Sequence, residues 1–396
     1  MATPPLEARH RPSGLNSQFN GDRLAFANYV ARNRDMLRRA HAGAADLEKI
    51  VDGNAPFESK PPAGFPSGQQ KPYRRGVLLT HGLTSSPYMM RHLAAFFQQN
   101  GFRVMVVLLP GHGTQPGDLL EVTWQEWAKT VAYGAYKLAE EVDEVYLAGY
   151  SIGGALSVYQ SLRDSRVRGL FLFSPAIRIT PKAAWANLHK LYSWLIPSAG
   201  WVDIKPDLDI YKYESFPKNA AAQTYALTRE LGALLQQPKL QGRGLDIPVF
   251  TVASEDDITV KTSAILEFIA CARHRSSKLV LYTTEPEKIP QGILAGRLEL
   301  VNSAVPGQKI LSSAHTAIVV PPEDKHYGAA GEYSNCVHYY PDNMEKYAAC
   351  LKHPERDWQG EITEKNLAAG ILRRLMYNPN FAALKVSMRR FIDDLP

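Results

Sequence analysis

The sequence predicts an α/β fold, in which a mostly parallel central sheet is flanked by helices and carries a helical cap insertion. Short apolar segments alternate with longer amphipathic ones between residues 76 and 174, and the alternation resumes at residue 247. Buried strands that alternate with helices form parallel sheets covered on both faces. The stretch between them is rich in aromatic residues and prolines and is too long for a single connection.

Each predicted element follows from its local pattern. Continuous apolar runs predict strands, and apolar residues spaced three and four apart predict helices. The predicted strands cover 76–80, 103–108, 144–148, 169–174, 247–253 and 278–283, and the predicted helices cover 22–41, 86–99, 123–140 and 152–162. In the C-terminal tail, which runs from about Glu332 and includes Asn366-Leu-Ala-Ala-Gly-Ile-Leu-Arg-Arg-Leu375 and Asn378-Pro-Asn-Phe381, the apolar spacing predicts a further helix packed against the sheet.

These elements predict three regions. Residues 1–70 form an N-terminal helical extension and linker. Residues 71–176 and 246–396 form the core, with an insertion at about 285–308 and a C-terminal helical tail. Residues 177–245 form a cap or lid. Ligands of open α/β sheets bind at the carboxyl ends of the strands, where the cap emerges, so Trp185, Tyr192 and Trp194 are candidates for the substrate pocket.

The most informative motif is Gly149-Tyr-Ser-Ile-Gly-Gly154, which follows an apolar strand and precedes a helix of small residues. Gly-x-Ser-x-Gly in this context predicts a nucleophile elbow, a sharp turn that exposes the Ser151 hydroxyl. The alternative is a glycine-rich turn with a bystander serine. The flanking strand and helix favour the elbow, because chance rarely supplies them together with the motif.

A serine hydroxyl needs a base, and the base needs an orienting acid; both are expected on loops after later strands. Ser254-Glu-Asp-Asp-Ile258 follows the strand 247–253 and offers the acid. We predict Asp256, because one residue separates it from an apolar side chain that can pack into the core. Asp257 is the alternative.

Several histidines beyond the insertion are candidates for the base. His315 is predicted, because it follows a short apolar run and small neighbours leave room for an imidazole beside a serine. His326 lies in a polar turn typical of a surface histidine. His338 and His353 remain as further alternatives.

An acyl-transfer intermediate also needs donors for its oxyanion. The backbone N–H of Ile152, just after the nucleophile, is one predicted donor, and that of Leu83 is the other. Leu83 lies in the loop after the first predicted strand, where Gly82 permits a tight turn. His81 is expected to pack below this loop, and His81 and Gly82 are also pocket candidates.

Three motifs together resemble the α/β-hydrolase superfamily, in particular the carboxylesterase and monoacylglycerol-lipase group with serine-aminopeptidase-like sequences. They are Thr80-His-Gly-Leu-Thr-Ser-Ser-Pro87, Leu109-Pro-Gly-His-Gly-Thr114 with Trp124 and Trp127, and the elbow. The resemblance covers residues 76–174 well and 248–283 more loosely. It implies Ser151 as nucleophile, Asp256 as acid, and Leu83 and Ile152 as the oxyanion hole. The spacing from Asp256 to His315 is about twice that of such esterases.

The leading functional hypothesis is therefore a carboxylic ester hydrolase that forms an acyl-enzyme on small, hydrophobic substrates of the apolar acyl or monoacylglycerol type. An amidase, peptidase or thioesterase with the same triad is the alternative. A third hypothesis is a non-catalytic ligand-binding protein on the same fold.

Composition limits the other classes. The net charge is +6, but the basic residues are spread along the chain, so nucleic-acid binding is not expected. No cofactor and no metal are expected, because the spacings of zinc sites and nucleotide loops are missing.

The sequence as written has neither a signal peptide nor an apolar run of membrane-spanning length, which predicts a cytoplasmic protein. An exported or periplasmic protein is the alternative if a leader was trimmed, and Cys336 and Cys350 would then be able to form a disulfide. Cys271 lies in an apolar run and is predicted to be buried.

Overall fold

The computed structural model describes residues 4–19, 21–179, 197–236, 245–289, 292, 294, 296–352 and 357–395. They belong to two compact units. The first unit contains residues 2–170 and 179–235, and the second contains residues 171–178 and 236–396.

The first unit carries strands β1 (Phe57–Ser59), β2 (Tyr73–Thr80), β3 (Phe102–Val107), β4 (Val142–Tyr150), the first part of β5 (Val167–Phe173), β6 (Trp201–Asp203) and β7 (Phe216–Pro217). Its sheet has the order β1-β3-β2-β4-β5. Strands β3, β2 and β4 are parallel, and β1 is antiparallel to β3. Strands β6 and β7 form a separate antiparallel pair.

Its helices are α1 (Phe26–Ala40), α2 (Leu47–Asn54), α3 (Arg91–Gln99), α4 (Trp124–Glu141), α5 (Ile152–Ser161) and α6 (Lys218–Leu235). Helix α4 packs closely on the sheet because Gly134 leaves room for the strand side chains beneath it. A Cβ atom at Gly134 would lie 2.6 Å from Leu78 of β2. All six residues of β3 are buried, as expected of a parallel strand covered on both faces.

The N-terminal extension packs against residues 201–215 of the same unit. The buried His10 ring contacts Trp201 edge-on at 5.0 Å between centroids, and its Nε2 lies 3.2 Å from the Ser215 hydroxyl. Further along, Asn54 of α2 donates to the carbonyl of Ile210 at 2.8 Å. The extension is therefore an integral layer of the first unit.

The second unit carries the last part of β5, then β8 (Val249–Ser254), β9 (Lys278–Thr283), β10 (Leu298–Asn302), β11 (Trp358–Gly360) and β12 (Leu372–Arg374), with helices α7 (Thr262–Cys271), α8 (Met344–Lys352), α9 (Glu364–Leu367) and α10 (Phe381–Asp393). Strands β8, β9 and β10 are parallel, and β11 and β12 form a separate parallel pair. Phe391 of α10 packs against Phe171 and Phe250, with ring centroids 5.2 and 5.4 Å away.

The predicted α/β class, with a mostly parallel sheet flanked by helices, is confirmed. All six predicted strands are present, with bounds that differ by three residues or fewer. The predicted three-region division stays a prediction. The insertion predicted at 285–308 contains β10, which continues the sheet beside β9.

Within the C-terminal tail, helix α10 packs on the sheet through Phe391, and Leu372–Arg374 forms β12. One sequence expectation is corrected. Cys271 was expected in the core but is exposed, because it is the last residue of α7 and lies outside the buried face formed by Ala264, Ile265, Phe268 and Ile269.

Cys336 and Cys350 form a disulfide, and both residues are fully buried. Tyr339 and Tyr347 pack around them. In the part of the chain that the structure describes, no helix is long and apolar enough to cross a bilayer.

Candidate active site

Ser151 occupies a strained turn between β4 and α5. Its φ of 55° and ψ of −117° lie outside the regions that residues with a side chain readily adopt. The turn requires glycine on both sides: a Cβ atom at Gly149 would overlap the backbone of Gly153, and one at Gly153 would overlap the carbonyl oxygen of Thr80. The local geometry is that of the predicted elbow.

The loop after β2 lies next to this turn. A Cβ atom at Gly82 would stand 3.3 Å from Cβ of Ser151 and 2.9 Å from the Tyr150 ring, so only glycine brings the loop backbone this close. Leu83 follows Gly82 and is half-buried. Ile152 is the first residue of α5, where backbone N–H groups have no partner within the helix. Both predicted oxyanion donors therefore belong to segments that lie beside Ser151.

His81 has a structural position. Its ring is fully buried, accepts a hydrogen bond from the Leu109 N–H at Nε2 (3.1 Å), and therefore donates from Nδ1 to the carbonyl of Gly82 (2.8 Å). Burial, together with the neighbouring His112, holds the pKa of His81 well below its usual value. The neutral ring fixes the Gly82 loop from below. The expectation that the His81 side chain lines a substrate pocket is corrected, because the ring has no exposed surface.

Residues 211–213 brace the same loop. The Tyr213 N–H donates to the carbonyl of Thr84 at 2.8 Å, directly after Leu83, and the Tyr213 hydroxyl accepts from the Thr114 N–H at 2.8 Å. Tyr211 stacks on Tyr88 with ring centroids 3.8 Å apart. The pocket candidates Trp185, Tyr192 and Trp194 lie outside the described residues.

In the second unit, His315 is paired with Asp257. The imidazole Nδ1 lies 2.7 Å from Oδ2 of Asp257, and both side chains are almost fully buried. The other carboxylate oxygen, Oδ1, accepts the N–H groups of Thr259 (2.8 Å) and Val260 (3.0 Å). This arrangement holds Asp257 in one orientation with Oδ2 directed at the ring.

The electrostatics around Asp257 favour its ionised form. Burial alone would raise the pKa of Asp257, but the contact with His315 and the two N–H donors outweigh burial, so the pKa is lowered. The ionised carboxylate accepts a hydrogen bond from Nδ1–H of His315. In this tautomer Nε2 carries the lone pair that a general base requires.

The choice of Asp256 over Asp257 is corrected by this geometry. It assumed that Ile258 packs into the core, but Ile258 is 58% exposed and the buried apolar residue of the loop is Val260, at 4%. The turn that buries Val260 aims Asp257, and not Asp256, at His315. Burial raises the pKa of Asp256 to about 6.

The other candidate histidines have different surroundings. His326 contacts Glu332 at 3.4 Å and stacks with Tyr333, and His338 packs against Tyr339. His353 lies outside the described residues. Of the candidate histidines that the structure describes, His315 is the one whose ring contacts an aspartate of the loop after β8.

Two residues of this neighbourhood were not singled out from the sequence. The buried carboxylate of Glu361 accepts the His315 N–H at 2.9 Å, and Arg374 bonds to both oxygens of Glu361. They lie 46 and 59 residues beyond His315 without a recognisable motif, so no local signal identifies them. Within the described ranges, no group of three or more His, Cys, Asp or Glu side chains could hold a metal ion.

Comparisons with known proteins bear on this arrangement. Residues 71–284 match the family model described as serine aminopeptidase, S33. A thermostable monoacylglycerol lipase of Bacillus sp. (strain H-257) is 29% identical over 186 residues, which are 47% of this chain and 71% of that protein. A carboxylesterase of Bacillus subtilis (strain 168) is 29% identical over 85 residues, which are 21% of this chain and 35% of that protein.

Solved structures show weaker likenesses. One comes from work on LipS and LipT, two metagenome-derived lipolytic enzymes; it is 24% identical, covers 58% of this chain and 87% of its own, and has a TM-score of 0.47. A monoacylglycerol lipase of Paleococcus ferrophilus is 17% identical, covers 58% of this chain and 88% of its own, and has a TM-score of 0.43.

Proposed function

Because the chain belongs to the serine aminopeptidase S33 family of α/β-hydrolases, we propose that it hydrolyses carboxylic esters through an acyl-enzyme on Ser151. The observation that carries the proposal is the elbow. A serine held at a φ of 55° between two obligatory glycines is a strained arrangement, and such strain is typical of catalytic positions.

In the proposed mechanism, the Ser151 hydroxyl attacks the ester carbonyl while Nε2 of His315 takes its proton. Asp257 holds the imidazole in the required tautomer and stabilises its charged form. The N–H groups of Leu83 and Ile152 bind the oxyanion. When the intermediate collapses, the ester C–O bond breaks and His315 gives the proton to the leaving alcohol. Water, deprotonated by His315, then releases the carboxylic acid and restores Ser151.

The substrate class rests on the relatives. A protein named monoacylglycerol lipase and another named carboxylesterase support an ester with an apolar acyl chain. The family description, serine aminopeptidase, favours a second candidate, hydrolysis of an N-terminal peptide bond by the same residues. The two reactions share the acyl-enzyme and differ in the leaving group, an alcohol or an amine.

The test uses p-nitrophenyl esters from acetate to palmitate and aminoacyl p-nitroanilides. Wild type is compared with Ser151→Ala and with Ser161→Ala, a control on the same helix whose hydroxyl donates to the carbonyl of Val158 at 2.8 Å. We expect ester turnover in wild type and the control, and none in Ser151→Ala. Turnover of anilides without esters would establish the peptidase instead.

A fluorophosphonate probe separates catalysis from mere binding. We expect one covalent adduct per chain, located at Ser151 by peptide mass spectrometry. Absence of an adduct on folded wild-type protein would overturn the assignment of Ser151 as nucleophile and would favour a ligand-binding role.

A further inference from the structure

Strands β11 and β12 bring a carboxylate and a guanidinium together next to the backbone of His315. Glu361 directly follows β11, and Arg374 is the last residue of β12, in register with Gly360. Arg374 donates from Nε to Oε1 of Glu361 at 2.7 Å and from Nη2 to Oε2 at 3.0 Å. The Glu361 side chain has no exposed surface. Two parallel bonds to one carboxylate fix the relative orientation of both side chains.

Glu361 contacts His315 directly, and Arg374 is linked to Asp257 through Thr259. Oε2 of Glu361 accepts the backbone N–H of His315 at 2.9 Å. Arg374 donates from Nη2 to the Thr259 hydroxyl at 2.9 Å, and the Thr259 N–H in turn bonds to Asp257. The backbone that carries the imidazole and the loop that carries its acid are thus tied to the same two side chains.

We propose that Glu361 and Arg374 are positioning residues, which hold the His315 imidazole and the Asp257 carboxylate in the relative orientation needed for proton transfer. The expected effect on catalysis rests on the proposed function. Both residues lie beyond residue 284, where the family match ends, so the proposal assigns a role to the C-terminal segment of this chain.

The charges make the proposal testable, because each single neutralisation leaves an uncompensated charge of known sign. Glu361→Gln leaves the Arg374 cation beside the acid loop, which disfavours a positive charge on the His315 ring. Arg374→Gln leaves the Glu361 carboxylate against the His315 backbone, which favours that charge. The double variant removes both effects. The other charged groups near the acid loop, Glu255, Asp256 and Lys365, are unchanged throughout.

The direct measurement is an NMR titration of the His315 imidazole in full-length protein labelled with ¹³C-histidine, the signal being assigned with His315→Gln. We expect the midpoint to fall in Glu361→Gln and to rise in Arg374→Gln, each by a few tenths of a pH unit or more. The double variant should lie near wild type. Unmoved midpoints, or shifts in one common direction, would overturn the proposal.

Arg373→Gln is the matched control. Arg373 is the neighbour of Arg374 on β12, and its guanidinium contacts Asp357 and Ser334. We expect its titration midpoint and ester turnover to equal those of wild type. A shift as large as that of Arg374→Gln would mean that any charge lost from β12 acts on His315.

A milder variant covers the case in which Glu361→Gln and Arg374→Gln do not fold. Thr259→Val cuts the link from Arg374 to the acid loop at an exposed position and leaves the ion pair intact. We expect kcat to fall several-fold with KM unchanged, since misplacement of a catalytic group by a fraction of an ångström lowers the chemical step. A wild-type kcat would contradict the positioning role.

If the ester-hydrolase proposal is wrong, the turnover and fluorophosphonate experiments will show it by the absence of Ser151-dependent turnover or labelling. The NMR midpoints do not depend on turnover.

Discussion

Replacing Asp257 with asparagine changes one group beside the His315 ring and leaves the shape of the side chain nearly the same. Oδ1 of Asp257 accepts two backbone N–H groups, from Thr259 and Val260. The amide oxygen of the asparagine must occupy this position, because an NH₂ group there would face the N–H groups of Thr259 and Val260 and leave all three donors without an acceptor. The NH₂ group of the asparagine therefore faces Nδ1 of His315.

This orientation reverses the tautomer of the imidazole. Nδ1 must now accept a hydrogen bond, so the ring proton moves to Nε2, the atom that is proposed to take the proton from Ser151. The same substitution in serine proteases lowers kcat by about 10⁴. We expect a loss of this order here, which corresponds to about 5 kcal/mol of transition-state stabilisation.

The assay is kcat/KM on a p-nitrophenyl ester, with thermal unfolding to show that the variant is folded. Asp256→Asn is the matched control at the adjacent position and should stay within a few-fold of wild type, because Asp256 does not meet the imidazole. A loss in Asp256→Asn with activity retained in Asp257→Asn would refute the assignment of the acid.

Three further predictions concern stability. Gly153→Ala should lower the free energy of unfolding by about 3 kcal/mol or more in urea denaturation, because its Cβ would overlap the backbone of Thr80; a near-neutral variant would show that the elbow can relax. Replacing Cys336 and Cys350 by serine should lower the free energy of unfolding by about 3 kcal/mol, the value expected when a disulfide closes a loop of about 15 residues. Equal denaturation midpoints for wild type and the variant would argue against a stabilising disulfide. Asp256→Asn should become more stable relative to wild type as pH rises from 3.8 to about 6. The pKa of the Asp256 carboxyl is raised in the folded protein, so wild type loses folding free energy over this range as the carboxyl ionises. Parallel pH profiles of the free energy of unfolding would contradict this.

The sheet and the elbow could be predicted from the sequence because their signals are local. A continuous apolar run marks a strand that is buried on both faces, as β3 and β8 are. The glycines around Ser151 are required by contacts within a few residues and with the end of β2. Such constraints leave a short, readable motif.

The acid could not be chosen from the sequence because Asp256 and Asp257 differ only in where the turn directs them. That direction depends on Val260 packing into the core while Ile258 faces solvent, and both are β-branched apolar residues. Glu361 and Arg374 were missed for a related reason. Their partners are brought together by the pairing of β11 with β12, and nothing near either residue in the chain indicates it.

The docking of the N-terminal extension sets an order of events during folding. His10 meets Ser215 across a sequence separation of 205 residues. Closing so long a loop has a large entropic cost, and long-range contacts of this kind form late. During synthesis His10 leaves the ribosome long before its partners Trp201 and Ser215, which follow only after β1 to β5 have been made. We therefore expect the segment around His10 to dock late, on a surface that β1 to β5 have already formed.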